Sequence, residues 1–117
     1  MYFETWIDTD LQKPVTPTQL HGVFFQGDAV ANLLGVSVYS GGEPLALDGS
    51  CKVYIYRANS SEWRLDGTFT DNKASVTLPA NAYAVAGPVN IVIRQELANI
   101  KSTLAMFRGY VYPFTTS

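Results

Sequence analysis

Residues 89–112 read VNIVIRQELANIKSTLAMFRGYVY, and the fold turns on the middle of this stretch. Val89, Ile91 and Ile93 alternate onto one face and Val92 adds to the other, so Val89 to Gln95 is the most strand-like segment of the chain. Within 95–107, Leu97, Ile100, Leu104 and Phe107 recur at spacings of three, four and three, which suits an amphipathic helix. The same residues suit a hairpin with Ala98-Asn99 as its turn and Ser102 to Tyr112 as its return strand. The hairpin is favoured. The residues before it are committed to a strand, and Phe107 to Tyr112 are aromatic and strand-prone.

The rest of the chain alternates in the same way. Asn32 to Tyr39 puts Leu34, Val36 and Val38 on one face, with Ser37 and Tyr39 on the other. Ser50 to Arg57 sets Cys51, Val53 and Ile55 against Lys52, Tyr54 and Tyr56. Lys73 to Leu78 turns Ala74, Val76 and Leu78 inward and Lys73, Ser75 and Thr77 outward. Tyr2 to Asp8, Leu20 to Phe25 and Trp63-Arg64-Leu65 read as further strands. Turn residues punctuate them at Gln26-Gly27-Asp28, Gly41-Gly42-Glu43-Pro44, Ala58-Asn59-Ser60-Ser61 and Asp71-Asn72. Pro14 and Pro17 lack an N–H donor, so residues 11–19 are an extended connector or an edge strand. Pro79 opens a short helical turn near residues 79–84, and Gly87-Pro88 ends it. The expectation is an all-β chain: an antiparallel β-sandwich of about eight strands, one domain over residues 1–117.

Composition narrows the function classes. The 117 residues are 47% hydrophobic and only 15% charged, with a formal net charge of −2. No block of one sign occurs, so a nucleic-acid footprint is absent. No basic, apolar leader opens the chain, and no run approaches the ~20 apolar residues of a spanning helix. Membrane insertion is therefore not expected, and synthesis in a cytoplasm is. A single cysteine, Cys51, excludes an intrachain disulfide and a cysteine-based zinc site.

Reactive groups are sparse. His21 is the sole candidate base; no GxSxG elbow accompanies it, and it reads as a half-exposed strand residue. Asp8, Asp10, Asp28, Asp48, Glu62, Asp66 and Asp71 mostly neighbour Gly, Asn or Ser, where carboxylates organise turns, and nothing pairs two of them across a cleft. No D-x-D-x-D-G calcium loop is present. Cys51 lies on the apolar face of its strand and reads as a small hydrophobe. No catalytic, metal or cofactor residue is assigned. The aromatics carry the surface chemistry: Tyr54 and Tyr56 face away from their strand's aliphatic side, and Trp63 lies in the next strand. These three are the candidate contact residues, for core, for a protein interface or for stacking on a sugar.

The order of motifs resembles the N-terminal domain of the phage baseplate upper protein family. The residues that carry it are Lys13-Pro14-Val15, Gln26-Gly27-Asp28, Gly41-Gly42-Glu43-Pro44, and Asn72-Lys73-Ala74 through Leu78-Pro79 to Tyr83-Ala84-Val85-Ala86-Gly87. Ala86 stands where such a pattern has Pro before the Gly, and Pro88 follows. The resemblance spans about residues 8 to 112. It implies a virion structural module without catalysis that docks a baseplate or fibre onto a phage particle. Implied partners are other copies of the chain, as in a trimer, and phage tail or capsid proteins. The chain would then be the N-terminal part of a longer fibre or baseplate protein, made in the bacterial host cytoplasm and carried in the virion. The alternative is a carbohydrate-binding module that stacks host surface glycans on Tyr54, Tyr56 and Trp63.

Overall fold

The structure, a computed structural model, describes residues 2–11, 17–27 and 32–113. Its described residues form ten strands and two 3-10 turns. In chain order the strands are β1 (Tyr2–Asp8), β2 (Thr18–Phe25), β3 (Asn32–Ser40), β4 (Glu43–Pro44) and β5 (Ser50–Tyr56). Then come β6 (Glu62–Asp66), β7 (Thr68–Thr70), β8 (Lys73–Leu78), β9 (Gly87–Leu97) and β10 (Ile100–Tyr112). The 3-10 turns are Thr9–Leu11 and Ala80–Tyr83. Among the described residues no helix is long and apolar enough to cross a membrane.

Two sheets pack face to face. Sheet A runs β1-β3-β8-β7 with β4 beside β3; sheet B runs β2-β10-β9-β5-β6. Alternation explains the layering, because a period of two puts every second side chain on the shared side. Leu34, Val36, Val38, Ala74 and Val76 come from sheet A. Val53, Ile55, Ile91, Ile93 and Phe107 come from sheet B, and all are buried in one core. The sandwich and the short turn near residues 79–84 are as the sequence predicts. So is the hairpin: Ala98-Asn99 separates β9 from β10, and Leu97 pairs with Ile100. The helical alternative for 95–107 is excluded.

Two pairs depart from the expected antiparallel pattern. β1 runs parallel to β3, and β2 runs parallel to β10. The reason is the route of the chain. It leaves sheet A after β1, forms β2 in sheet B, and returns as β3 beside β1 in the same direction. The two strands beyond the expected eight are the short β4 and β7. Of residues 11–19, Thr18 and Gln19 begin β2, which is an edge strand as expected, whereas Leu11 ends the first 3-10 turn and is not extended. Lys13-Pro14-Val15 and Asp28 lie outside the described residues.

Two local devices hold the layers in register. At the β6–β7 crossing the chain passes between sheets through Gly67, whose N–H donates to the Cys51 carbonyl at 2.9 Å. A Cβ there would lie 2.6 Å from the Ser75 carbonyl oxygen and 2.7 Å from Cys51 Sγ, so only glycine fits. At the end of β1, buried Asp8 accepts backbone N–H bonds from Asp10 and Gly41 at 3.0 Å and from Gly42 at 2.8 Å. One carboxylate thereby joins the first 3-10 turn to the β3–β4 hairpin. This is the turn-organising role the sequence suggests for such residues.

Candidate functional site

Strand alternation decides what the outer faces display. On sheet B, Tyr54 sits between Val92 and Arg64 in the cross-strand register. The Arg64 guanidinium lies 5.4 Å and that of Arg94 5.9 Å from its ring centroid. Its hydroxyl donates to Glu96 Oε2 at 2.5 Å, and that bond raises the phenol's pKa. Lys52 pairs with Asp66 at 2.8 Å, and Arg64 pairs with Glu62. A shallow hollow of about 260 Å³ lies among Lys52, Tyr54, Arg64, Asp66 and Glu96. Tyr54 is thus the centre of a charged network, with guanidinium groups against its ring. Arg94 Nε is enclosed there with no hydrogen-bond partner.

The three candidate aromatics do not form one surface. Tyr56 shares the outer face with Tyr54, opposite Asn90 and Glu62, and is 41% exposed. Trp63 pairs with Ile55, whose side chain is fully buried. Directly opposed residues of antiparallel strands project to the same side. Trp63 therefore projects to the sandwich side of edge strand β6 and remains 39% exposed at its margin.

Sequence reasoning missed two other aromatic clusters. At one end of sheet B's outer face, Phe25, Tyr110 and Tyr112 are each 42–48% exposed. Ring centroids are 5.6 Å apart for Phe25–Tyr112 and 5.1 Å for Tyr110–Tyr112. The parallel register of β2 with β10 sets Phe25 beside Tyr112. Arg108, on the same face, donates from Nε to Asn90 Oδ1 at 2.9 Å and has no carboxylate partner among the described residues. The alternation of Tyr110 and Tyr112 about buried Val111 was an available signal; Phe25 as their neighbour was not.

On the outer face of sheet A, Trp6 is 61% exposed and meets Tyr39 edge-on at 6.5 Å. Lys73 stands 4.7 Å from the Tyr2 ring centroid and pairs with Glu4 at 3.2 Å. An open groove of about 650 Å³ runs along Glu4, Trp6, Asp8, Ser37, Tyr39 and Gly42. Its charged lining consists of carboxylates, Glu4 and Asp8.

Among the described residues no reactive constellation accompanies these faces. Among the described residues no three His, Cys, Asp or Glu side chains converge as a metal site would require. The side chain of His21 lies outside the described residues, although its backbone belongs to β2. Cys51 is buried, and burial pushes its thiol up to about 11, far from a ready nucleophile. The candidate site is a pair of exposed aromatic and charged sheet faces, the kind of surface that binds by contact.

A class follows from fold and surface together: an all-β sandwich with display faces. No protein-family model matches the sequence, and no curated protein matches it. Among solved structures, the N-terminal domain of phage TP901-1 ORF48 is similar in fold, with a TM-score of 0.52 at 12% sequence identity. The match covers 94% of this chain and 98% of that one.

Proposed function

We infer that this chain is a non-enzymatic structural module of a phage particle, one that docks a baseplate or fibre through its β-sandwich faces. The observation that carries the reading is a fold shared end to end with a domain of a phage protein. The exposed aromatic clusters on both outer faces support it, since contiguous apolar surface marks contact sites. Its partners in this reading are other copies of the chain and tail or capsid proteins. The chain is made in the host cytoplasm and resides in the virion. Tyr56 and Trp63 are contact residues in this proposal, and Tyr54 organises the charged network beside them.

The glycan-binding alternative needs an open ring platform. Tyr54 has guanidinium groups against its ring and Trp63 projects to the other side of the sheet, so the three named aromatics do not make one. The test is the composition of purified particles. Particles induced from the genome that encodes the chain should contain it in fixed stoichiometry, and labelled antibody should place it on the tail or capsid. Particles free of the chain after density-gradient purification would overturn the reading.

A further inference from the structure

On sheet A the register sets which side chains share the outer face. Val36 and Val38 of β3 are buried, so Ser37 and Tyr39 face outward, beside Glu4 and Trp6 of β1 and Lys73 of β8. The charges on this face are satisfied within the chain. Glu4 Oε1 takes Lys73 Nζ at 3.2 Å and the Ser37 hydroxyl at 3.3 Å. A Cβ on Gly35 would lie 3.1 Å from Lys73 Cε, so glycine there leaves Lys73 room to reach Glu4. Buried Asp8 uses both carboxylate oxygens on backbone N–H groups. What the face leaves open is aromatic area and hydroxyl-type hydrogen bonding. Trp6 is 61% exposed, and Tyr39 meets it at 79°, so the two rings make a corner. The corner bounds the groove of about 650 Å³, which falls within the ~300–1,000 Å³ of small-ligand clefts. Ser37 stands opposite Trp6 in the register and lines the same groove.

We propose that the Trp6–Tyr39 groove binds a neutral oligosaccharide, with one pyranose ring lying on the Trp6 indole. The charge state of the groove selects this class. A cation would have to displace Lys73 from Glu4, and an anion would meet the Glu4 carboxylate. A neutral sugar incurs neither cost. Its ring C–H groups carry a small positive charge and lie well against the negative face of an aromatic ring. Its hydroxyls both donate and accept. They suit the Ser37 hydroxyl and Glu4 Oε2, since the Lys73 and Ser37 contacts both fall on Oε1. This site differs from the Tyr54 surface, whose ring has guanidinium groups against it, because the Trp6 indole is open. The inference goes beyond the structural-module reading and does not depend on it.

The experiment probes the full chain on an array of neutral hexose and N-acetylhexosamine oligosaccharides, with sialyllactose as the anionic comparison. Amide NMR titration with the best neutral binder then locates the contact. The Trp6 indole N–H and the Ser37 and Tyr39 amides should shift, while those of Phe25, Tyr56 and Tyr112 stay in place. Trp6→Ala should weaken binding about tenfold or more, and Trp6→Tyr should keep part of it. Affinity should be the same at low and high salt, because no net charge is matched. Circular dichroism checks that each variant folds. If Trp6→Ala does not fold, Ser37→Gln, which sets a longer side chain beside the indole, should weaken binding in its place. The proposal is overturned if no neutral oligosaccharide binds, or if sialyllactose binds more tightly and in a salt-sensitive way. Shifts confined to the Tyr56 or Tyr112 side, or full binding by a folded Trp6→Ala, overturn it as well. So do Trp6 shifts that follow protein concentration without sugar, which would place a second copy in the groove. Particles that carry the chain in fixed stoichiometry while it binds no sugar overturn this inference and leave the structural-module reading standing.

Discussion

Cys51 shows how one side chain ties packing to solution behaviour. It lies on the inner face of β5, against the Gly67 crossing. Burial disfavours the thiolate, the backbone hydrogen bond from Gly67 pulls the other way, the Asp66 carboxylate adds to the rise, and the net is a pKa raised from 9.0 to about 11. The sign follows from linkage. Below pH 9 the thiol is protonated in both folded and unfolded chains, and its contribution to stability is intact. Between pH 9 and 11 the unfolded chain releases the proton first, so stability falls, by on the order of 2 kcal/mol. Urea midpoints at the two ends of that window should drop more for the wild type than for Cys51→Ala. Equal drops would show that the folded thiol ionises as readily as the unfolded one. Tyr54, Lys52 and Lys73, whose pKa values are also raised, titrate in both proteins and cancel in the comparison. The burial of Cys51 was readable from alternation alone, because Val53 and Ile55 share its face. The fate of Tyr54 was not: its neighbours Arg64 and Arg94 come from two other strands, and only the register brings them over the ring.

The hairpin of β9 and β10 carries the decision between helix and strand, and its turn is built from an unfavoured residue. Ala98 takes φ +50°, where its Cβ crowds the backbone and glycine does not. Ala98→Gly should therefore stabilise the protein by about 0.5–1 kcal/mol, after allowing for the greater entropy of glycine in the unfolded chain. Ala98→Val should destabilise it. Thermal melts of the two variants give the order, and a destabilised glycine variant would mean that the turn gains something from the methyl group. The helical spacing of Leu97, Ile100, Leu104 and Phe107 arises because a bulge between Thr103 and Ala105 shifts the strand's parity. Leu104 and Ala105 are both buried across that bulge, and Leu97 and Ile100 are exposed near the tip. A bulge leaves no mark in a two-residue alternation, which is why one stretch fitted two periodicities. The face of Trp63 was hidden for a related reason. It depends on how many residues the 57–61 turn consumes, which sets the pairing of Trp63 with Ile55.

Taken whole, the sandwich is closed by its least local contacts. Inner-face alternation named the core strands correctly because each buries one side, and local hairpins fixed β5–β6, β7–β8 and β9–β10. The parallel pairs had no such local signal. β2 meets β10 across nearly the whole chain, with Thr18 beside Phe107, and β1 meets β3 only after the chain has visited the other sheet. Such pairs close large loops before they gain contacts, so they form late and open first. Both also lie at sheet edges, each with one side unpaired among the described strands. Native-state hydrogen exchange should therefore resolve two levels of opening. Amides of β9, β5 and the centre of β3, around Ile91, Val53 and Val36, should exchange only on global unfolding. Amides of β1 and β2 bonded to β3 and β10 should exchange through smaller openings of lower free energy. The close fit of Phe24 over Gly109, where a Cβ would sit 2.8 Å from the ring, is the contact that opposes release of β2. Gly109→Ala should push β2 exchange faster while leaving β5 and β9 nearly unchanged. If β1 and β2 instead exchange with the free energy of β9, the molecule is one cooperative unit.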